Sequence, residues 1–146
     1  MAKNVLVTSE LTEVMRKIGA VLLRRLDNDQ ADVRSAFWFY ISDMKAWQLV
    51  IASKKVDKEG PREFYKRIVN ANKTAAKNEH VLSLNDVGVT NMSNPLVKLI
   101  AIAVLTPPDA IGGIRFSRNT INGSFIEDVY IYRSSIQDDF KREYRD

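Results

Sequence analysis

The chain has 146 residues, 45% hydrophobic and 27% charged, the balance of one globular domain long enough to bury its own core. It has no cysteine and a single histidine, His80, which excludes disulfides, thiolate catalysis and metal sites built from cysteine or histidine clusters. The formal net charge is +4, yet eight basic and three acidic residues fall between Lys54 and Lys77, so that segment alone carries the basic character.

No apolar run approaches the ~18 residues of a membrane span; the longest is Leu99 to Leu105. Val5-Leu6-Val7 is too short for the apolar part of an export signal. With no cysteine, the expectation is a soluble cytoplasmic protein with no membrane partner.

In chain order, Leu11, Val14, Met15, Ile18, Val21 and Leu22 recur at three- and four-residue steps and predict a first helix, capped by Thr8 or Ser9 and closed by Asp27-Asn28-Asp29. Val33 to Ile41 and Ala46 to Ser53 are rich in aromatic and β-branched residues and flank a short polar turn, which predicts a β-hairpin. Phe37, Phe39 and Ile41 line one face of its first strand, Trp38 and Tyr40 the other. Such a doubly apolar strand is covered on both faces, or one face is an interface.

Gly60-Pro61 opens a second helix, whose apolar half runs from Phe64 to Ala76 and predicts an end near Asn78. Val81 to Thr90 reads as a strand interrupted near Asn85-Asp86. Ser93-Asn94-Pro95 starts a third helix that ends before Pro107. Lys98 is its only charge, so near-complete burial is expected, either between sheet and first helix or in a subunit interface. Ile114 to Ile121 and Ser124 to Arg133 flank Asn122-Gly123, a strong type I′ hairpin turn. Pairing about that turn sets Phe116 opposite Val129, Ile114 opposite Ile131 and Arg118 opposite Glu127.

The expected fold is therefore α+β: one domain over 1–133, with about five mostly antiparallel strands in the order α-ββ-α-β-α-ββ and helices packed on the sheet. A charged segment, 134–146, carries Ile136, Phe140 and Tyr144 at four-residue spacing and is expected to form a short docked helix.

Two constellations are candidate sites. Arg62, Lys66, Lys73 and Lys77 form a stripe on the second helix, with Lys54, Lys55 and Lys58 close by in sequence. Clustered cations of this kind meet nucleic acid or another polyanion, although a solvated helix face has the same pattern. Strand alternation also gathers Arg115, Ser117, Asn119, Asp128, Tyr130 and Tyr132 on the outer face of the last hairpin. Of these, Arg115, Ser117, Asp128 and Tyr130 are the binding-face candidates, and the plain alternative is the wet side of a sheet.

Catalytic sets are missing. Asp43 and Lys54 are placed along the first hairpin much as in metal-dependent nucleases, but Ala52 stands where the second carboxylate belongs. No Gly-x-Ser-x-Gly elbow accompanies His80, and Gly112-Gly113 lacks the lysine of a phosphate loop. The resulting expectation is a non-catalytic binding or assembly protein without metal or cofactor, with a protein partner or self-association as a homodimer. Nucleic-acid binding through the stripe is the alternative, and an enzyme built on Arg115, Asp128 and Tyr130 is the third reading.

Overall fold

The computed structural model describes residues 2–136. Strand β1 (Lys3–Asn4) leads to helix α1 (Glu13–Asn28), then β2 (Val33–Ile41) and β3 (Ala46–Ser53). Helices α2 (Lys54–Glu59) and α3 (Pro61–Lys73) precede the two-residue β4 (His80–Val81), a 3-10 turn (Leu84–Asp86) and β5 (Val87–Thr90). Helix α4 (Pro95–Ala103) and the hairpin β6 (Ile114–Ile121) and β7 (Ser124–Ser134) follow.

The fold is α+β. Its main sheet has five strands in the order β5-β3-β2-β7-β6. Three neighbouring pairs are antiparallel, whereas β5 runs parallel to β3 because α2 and α3 carry the chain back across the sheet between them. A second, small sheet pairs β1 with β4 in parallel.

The doubly apolar hairpin is buried on both faces within this one chain. Trp38, Leu49, Ile51, Val87 and Tyr132 form a core under α1 and α3 with Met15, Leu22, Leu26, Phe64 and Ile68. On the opposite face Phe37, Val50, Val129 and Ile131 meet Val97 and Ile100 of α4 and Val104 just past its end. Helix α4 thus packs on the face away from α1, not between α1 and the sheet. It is also only partly buried, because Ile102 is 62% exposed and Leu105, just past its end, 51%.

Local chemistry sets the element ends. Thr12, not Thr8 or Ser9, caps α1 by accepting a hydrogen bond from the Met15 N–H at 3.1 Å. Ser53 caps α2 and also donates to the Ala31 carbonyl at 2.6 Å, tying the end of β3 to the segment after α1. Helix α3 stops at Lys73, short of Asn78. The Thr74 hydroxyl donates to the Ala71 carbonyl at 2.7 Å, and the Glu79 carboxylate accepts from the Ala76 N–H at 3.2 Å, which folds residues 74–79 into turns. Asn122 and Gly123 both take positive φ, 49° and 83°, as a type I′ turn requires. The expected helix over Phe140 and Tyr144 lies outside the described residues.

Two side chains of β7 fix α1. The Tyr132 hydroxyl accepts from Trp38 Nε1 at 2.9 Å and donates to the Arg16 carbonyl. Burial pushes this hydroxyl well above the usual tyrosine range, against the opposing effect of Trp38, so it stays protonated and keeps donating. Next to it, Arg133 is 1% exposed and bonds both Asp27 carboxylate oxygens at 2.8 and 2.7 Å. No helix among the described residues is long and apolar enough to cross a membrane.

Asp27→Ala leaves the Arg133 guanidinium buried without its counter-charge and is expected to lower stability by about 3 kcal/mol in urea unfolding. A methyl at Gly19 overlaps the Tyr132 hydroxyl and crowds Trp38 Nε1. Gly19→Ala is therefore expected to destabilise by about 1–3 kcal/mol despite alanine's better helix propensity. It costs less in a Tyr132→Phe background, where the overlapping oxygen is gone, and a double-mutant cycle reads that coupling.

Candidate functional site

Helix α1 covers only part of the outer face of the β6–β7 hairpin. Its first turns lie over Tyr130 and Tyr132, whose rings meet edge to face at 5.4 Å, and Tyr132 is buried there. The rest of the face is open as a concavity of about 610 Å³, walled by Ser9, Glu10 and Leu11 on the approach to α1. Arg115, Ser117 and Asp128 lie in its floor, with Tyr40, Trp47, Arg118 and Glu127 around them.

The register that brings these residues together is Arg115↔Tyr130 and Ser117↔Asp128, with Phe116↔Val129 and Ile114↔Ile131 turned to the other face. Both apolar pairs match the sequence-based pairing. The ladder skips Arg118 and Glu127, which were expected to pair, and resumes at Asn119↔Ile126. Arg118 adopts φ 52°, which breaks the alternation of the pleat at that point. Ile126 and Val129, three residues apart, consequently enter the same core, and Glu127 lines the same concavity as its neighbour Asp128. Glu127 accepts a hydrogen bond from the Ser42 hydroxyl in the β2–β3 turn.

Arg115 grips Asp128 with two parallel hydrogen bonds, Nε to Oδ1 at 3.0 Å and Nη2 to Oδ2 at 2.7 Å. Ser117 donates to Oδ1 at 2.9 Å. The guanidinium carbon of Arg115 stands 5.6 Å from the Trp47 ring, and Trp47 meets Tyr40 edge to face at 5.4 Å. Trp47 Nε1 donates to the Ser9 carbonyl at 3.1 Å, so the aromatic wall is anchored to the N-terminal segment. Partial burial pushes the Asp128 carboxyl up. The Arg115 guanidinium, the Ser117 hydroxyl and the Val129 N–H together outweigh it and hold the group below the usual aspartate range. Asp128 raises the Arg115 pKa in return. The pair is a fixed, ionised feature, not a proton donor or acceptor near neutrality.

Three of the four hairpin candidates, Arg115, Ser117 and Asp128, are thus brought together. Tyr130 is not among them, because its ring lies beneath α1 and lines a separate cavity beside Arg16. The residues missed from sequence are Glu10, Tyr40, Trp47, Arg118 and Glu127. Trp47 is 3% exposed and belongs to the core, while its edge bounds the concavity.

The basic segment is dispersed. Lys54 and Lys55 lie half-buried in the first turn of α2, while Lys58 and Arg62 are exposed on either side of Gly60. Lys66 pairs with Glu63 at 3.0 Å, and Arg67 with Asp29 at 3.0 Å and Glu59 at 3.5 Å. Lys73 ends α3, and Lys77 lies beyond it in the turn; both line a groove with Asn4, Asn72 and Val81. At ~1.5 Å per residue, Lys73 stands roughly 16 Å from Arg62 along the helix. Asp43 and Lys54 lie at opposite ends of β3, and Ala52 between them is fully buried. Among the described residues no three acidic or histidine side chains cluster as a metal site. His80 is exposed on β4.

Comparison with known protein families, with curated proteins and with solved structures finds no match to this chain.

Because Asp128 titrates lower in the folded chain than its unfolded value of about 3.9, it stabilises the fold fully above that pH. The contribution is lost as pH falls through the folded pKa. Asp128→Asn is expected to flatten this part of the acid limb in unfolding measured between about pH 2 and 5. An unchanged acid limb would show that the Arg115 pair is not linked to folding.

Proposed function

We propose that this chain is a non-catalytic binding protein whose recognition surface is the concavity floored by Arg115, Ser117 and Asp128. Its occupant is a polypeptide segment of a protein partner, a second copy of this chain included. The observation that carries the reading is the two-point Arg115–Asp128 pair, oriented by Ser117 and set against Trp47 at the floor of a concavity of about 610 Å³. Groups locked in this way need no reordering when a partner arrives, which lowers the entropic cost of binding. Arginine, tryptophan and tyrosine, all present here, are the residue types that dominate binding energy at protein interfaces. Arg115 and Arg118 face Glu10, Glu127 and Asp128 around one space. That mixture suits a polypeptide bearing both signs of charge better than a polyanion. The cysteine-free composition fits a cytoplasmic location.

The other two readings have less support. Polyanion binding through Arg62, Lys66, Lys73 and Lys77 has its members spread along and beyond α3, with Lys66 engaged by Glu63. An enzyme built on Arg115, Asp128 and Tyr130 has its carboxylate held ionised by Arg115, Ser117 and the Val129 N–H, and its tyrosine in another cavity.

Selection of phage-displayed random peptides on the immobilised full chain tests the reading. Enriched peptides are expected to lose about tenfold or more in affinity on Arg115→Ala or on Glu127→Lys. Peptides held equally by wild type and both variants would place binding elsewhere. Turnover of a substrate that is lost in Asp128→Asn would refute the non-catalytic reading.

A further inference from the structure

On the other side of the first turns of α1 lies a second cavity, of about 500 Å³, between that helix and residues 111–113. Its lining includes Arg16, Lys17 and Arg24 from α1, Gly112 and Gly113 from the loop before β6, and Tyr130 from β7. Glu13, also at its edge, is engaged by Lys17 at 3.1 Å, which leaves Arg16 and Arg24 as the charges without a carboxylate among the described residues.

Arg16 is the unusual member. Among the described residues, the other buried or half-buried arginines each hold a carboxylate: Arg25 with Glu79, Arg34 with Asp32, Arg67 with Asp29, and Arg133 with Asp27. Arg16 is half-buried and has no carboxylate among the described residues. Its Nε is buried without a hydrogen-bond partner, and the guanidinium carbon stands 5.7 Å from the Tyr130 ring centroid. A partly desolvated cation held on an aromatic face lacks the counter-charge that normally offsets its desolvation. The backbone fixes it there, since the Arg16 carbonyl accepts from Tyr132.

The opposite wall is the loop at Gly112 and Gly113, which packs against Tyr130. A side chain at Gly113 overlaps the Tyr130 hydroxyl, so glycine there lets that hydroxyl sit against the loop at the cavity margin. The Gly112 N–H is already committed to the Tyr132 carbonyl at 3.0 Å, which holds the loop against β7. Two guanidinium groups and a phenol hydroxyl around one space are the donors that a tetrahedral oxyanion accepts.

We propose that this cavity is an anion site for a phosphate group, either inorganic phosphate or the phosphate of a small monoester, bound by Arg16 and Arg24 with Tyr130 as a further donor. It is separate from the Arg115–Asp128 concavity and stands whether or not that surface binds a polypeptide.

The test is a titration of the full, isotopically labelled chain with inorganic phosphate and, separately, with phenyl phosphate. It is followed by backbone amide and arginine Nε–H resonances, with sodium chloride at matched ionic strength as the control. The expected result is saturable shifts at Gly112, Gly113 and the Arg16 Nε–H that chloride does not reproduce. Arg16→Gln is expected to weaken binding about tenfold, and Arg24→Gln, at an exposed position that leaves the core untouched, by a smaller factor. Lys66→Gln on α3 leaves it unchanged. Tighter binding of phenyl phosphate assigns the site to phosphorylated small molecules, and tighter binding of the inorganic ion to free phosphate. Non-saturating shifts with both probes, or shifts identical in the Arg16→Gln and Arg24→Gln variants, would overturn the proposal.

Discussion

Arg133 is buried near the end of β7, and three other parts of the chain meet on its guanidinium. Nη1 and Nη2 hold the two oxygens of Asp27 in the last turn of α1, Nη1 also reaches the Val33 carbonyl at the start of β2, and Nε reaches the Ala110 carbonyl before β6. A guanidinium is tolerated at such depth only because its donors are met in a planar fork, with charge opposed by charge. The same geometry makes it a constraint. Helix, strand entry and loop must all arrive together, or a charge is left buried without a partner.

With its C-terminal end held by Arg133 and its middle by the Tyr132 hydroxyl, α1 has one placement across the sheet. That placement shapes both candidate surfaces. The polar face of the β6–β7 hairpin is divided by the first turns of α1 into a concavity over Arg115, Ser117 and Asp128 and a cavity beside Arg16 and Tyr130. The first contains a cation already matched to its anion, the second a cation that has none among the described residues. Both features follow from neighbouring residues of a single strand, since Asp128 and Tyr130 are two apart and share a face, while Tyr132 beyond them carries the helix.

The sequence makes part of the concavity legible for a simple reason. Asn122-Gly123 fixes the turn, the turn fixes the register, and a period of two places Arg115, Ser117 and Asp128 on one face. Glu127 escapes that logic because the positive φ of Arg118 breaks the alternation, and nothing in an arginine codon position announces a left-handed backbone. Tyr40 and Trp47 escape it because they arrive from the other hairpin, about seventy residues earlier, through sheet order alone. The basic stripe shows the converse. Helical periodicity continues past Lys73 in the sequence, but Thr74 and Glu79 offer the backbone other partners, and Glu79 is itself held by Arg25 of α1. Lys77 thereby leaves the helix and the stripe.

The α+β class, the two hairpins and the apolar pairing of β6 with β7 can be read from the chain alone. These depend on short-range periodicity and turn chemistry, which are written in consecutive residues. Long-range packing sets the parallel pairing of β5 with β3, the placement of α4 and α1 on opposite faces of the sheet, and the half of the hairpin that α1 covers. The same packing sets which arginine meets a carboxylate, as Arg133 does and Arg16 among the described residues does not. Those outcomes rest on contacts between residues as far as 116 positions apart, where a period of two or of 3.6 carries no information about the partner.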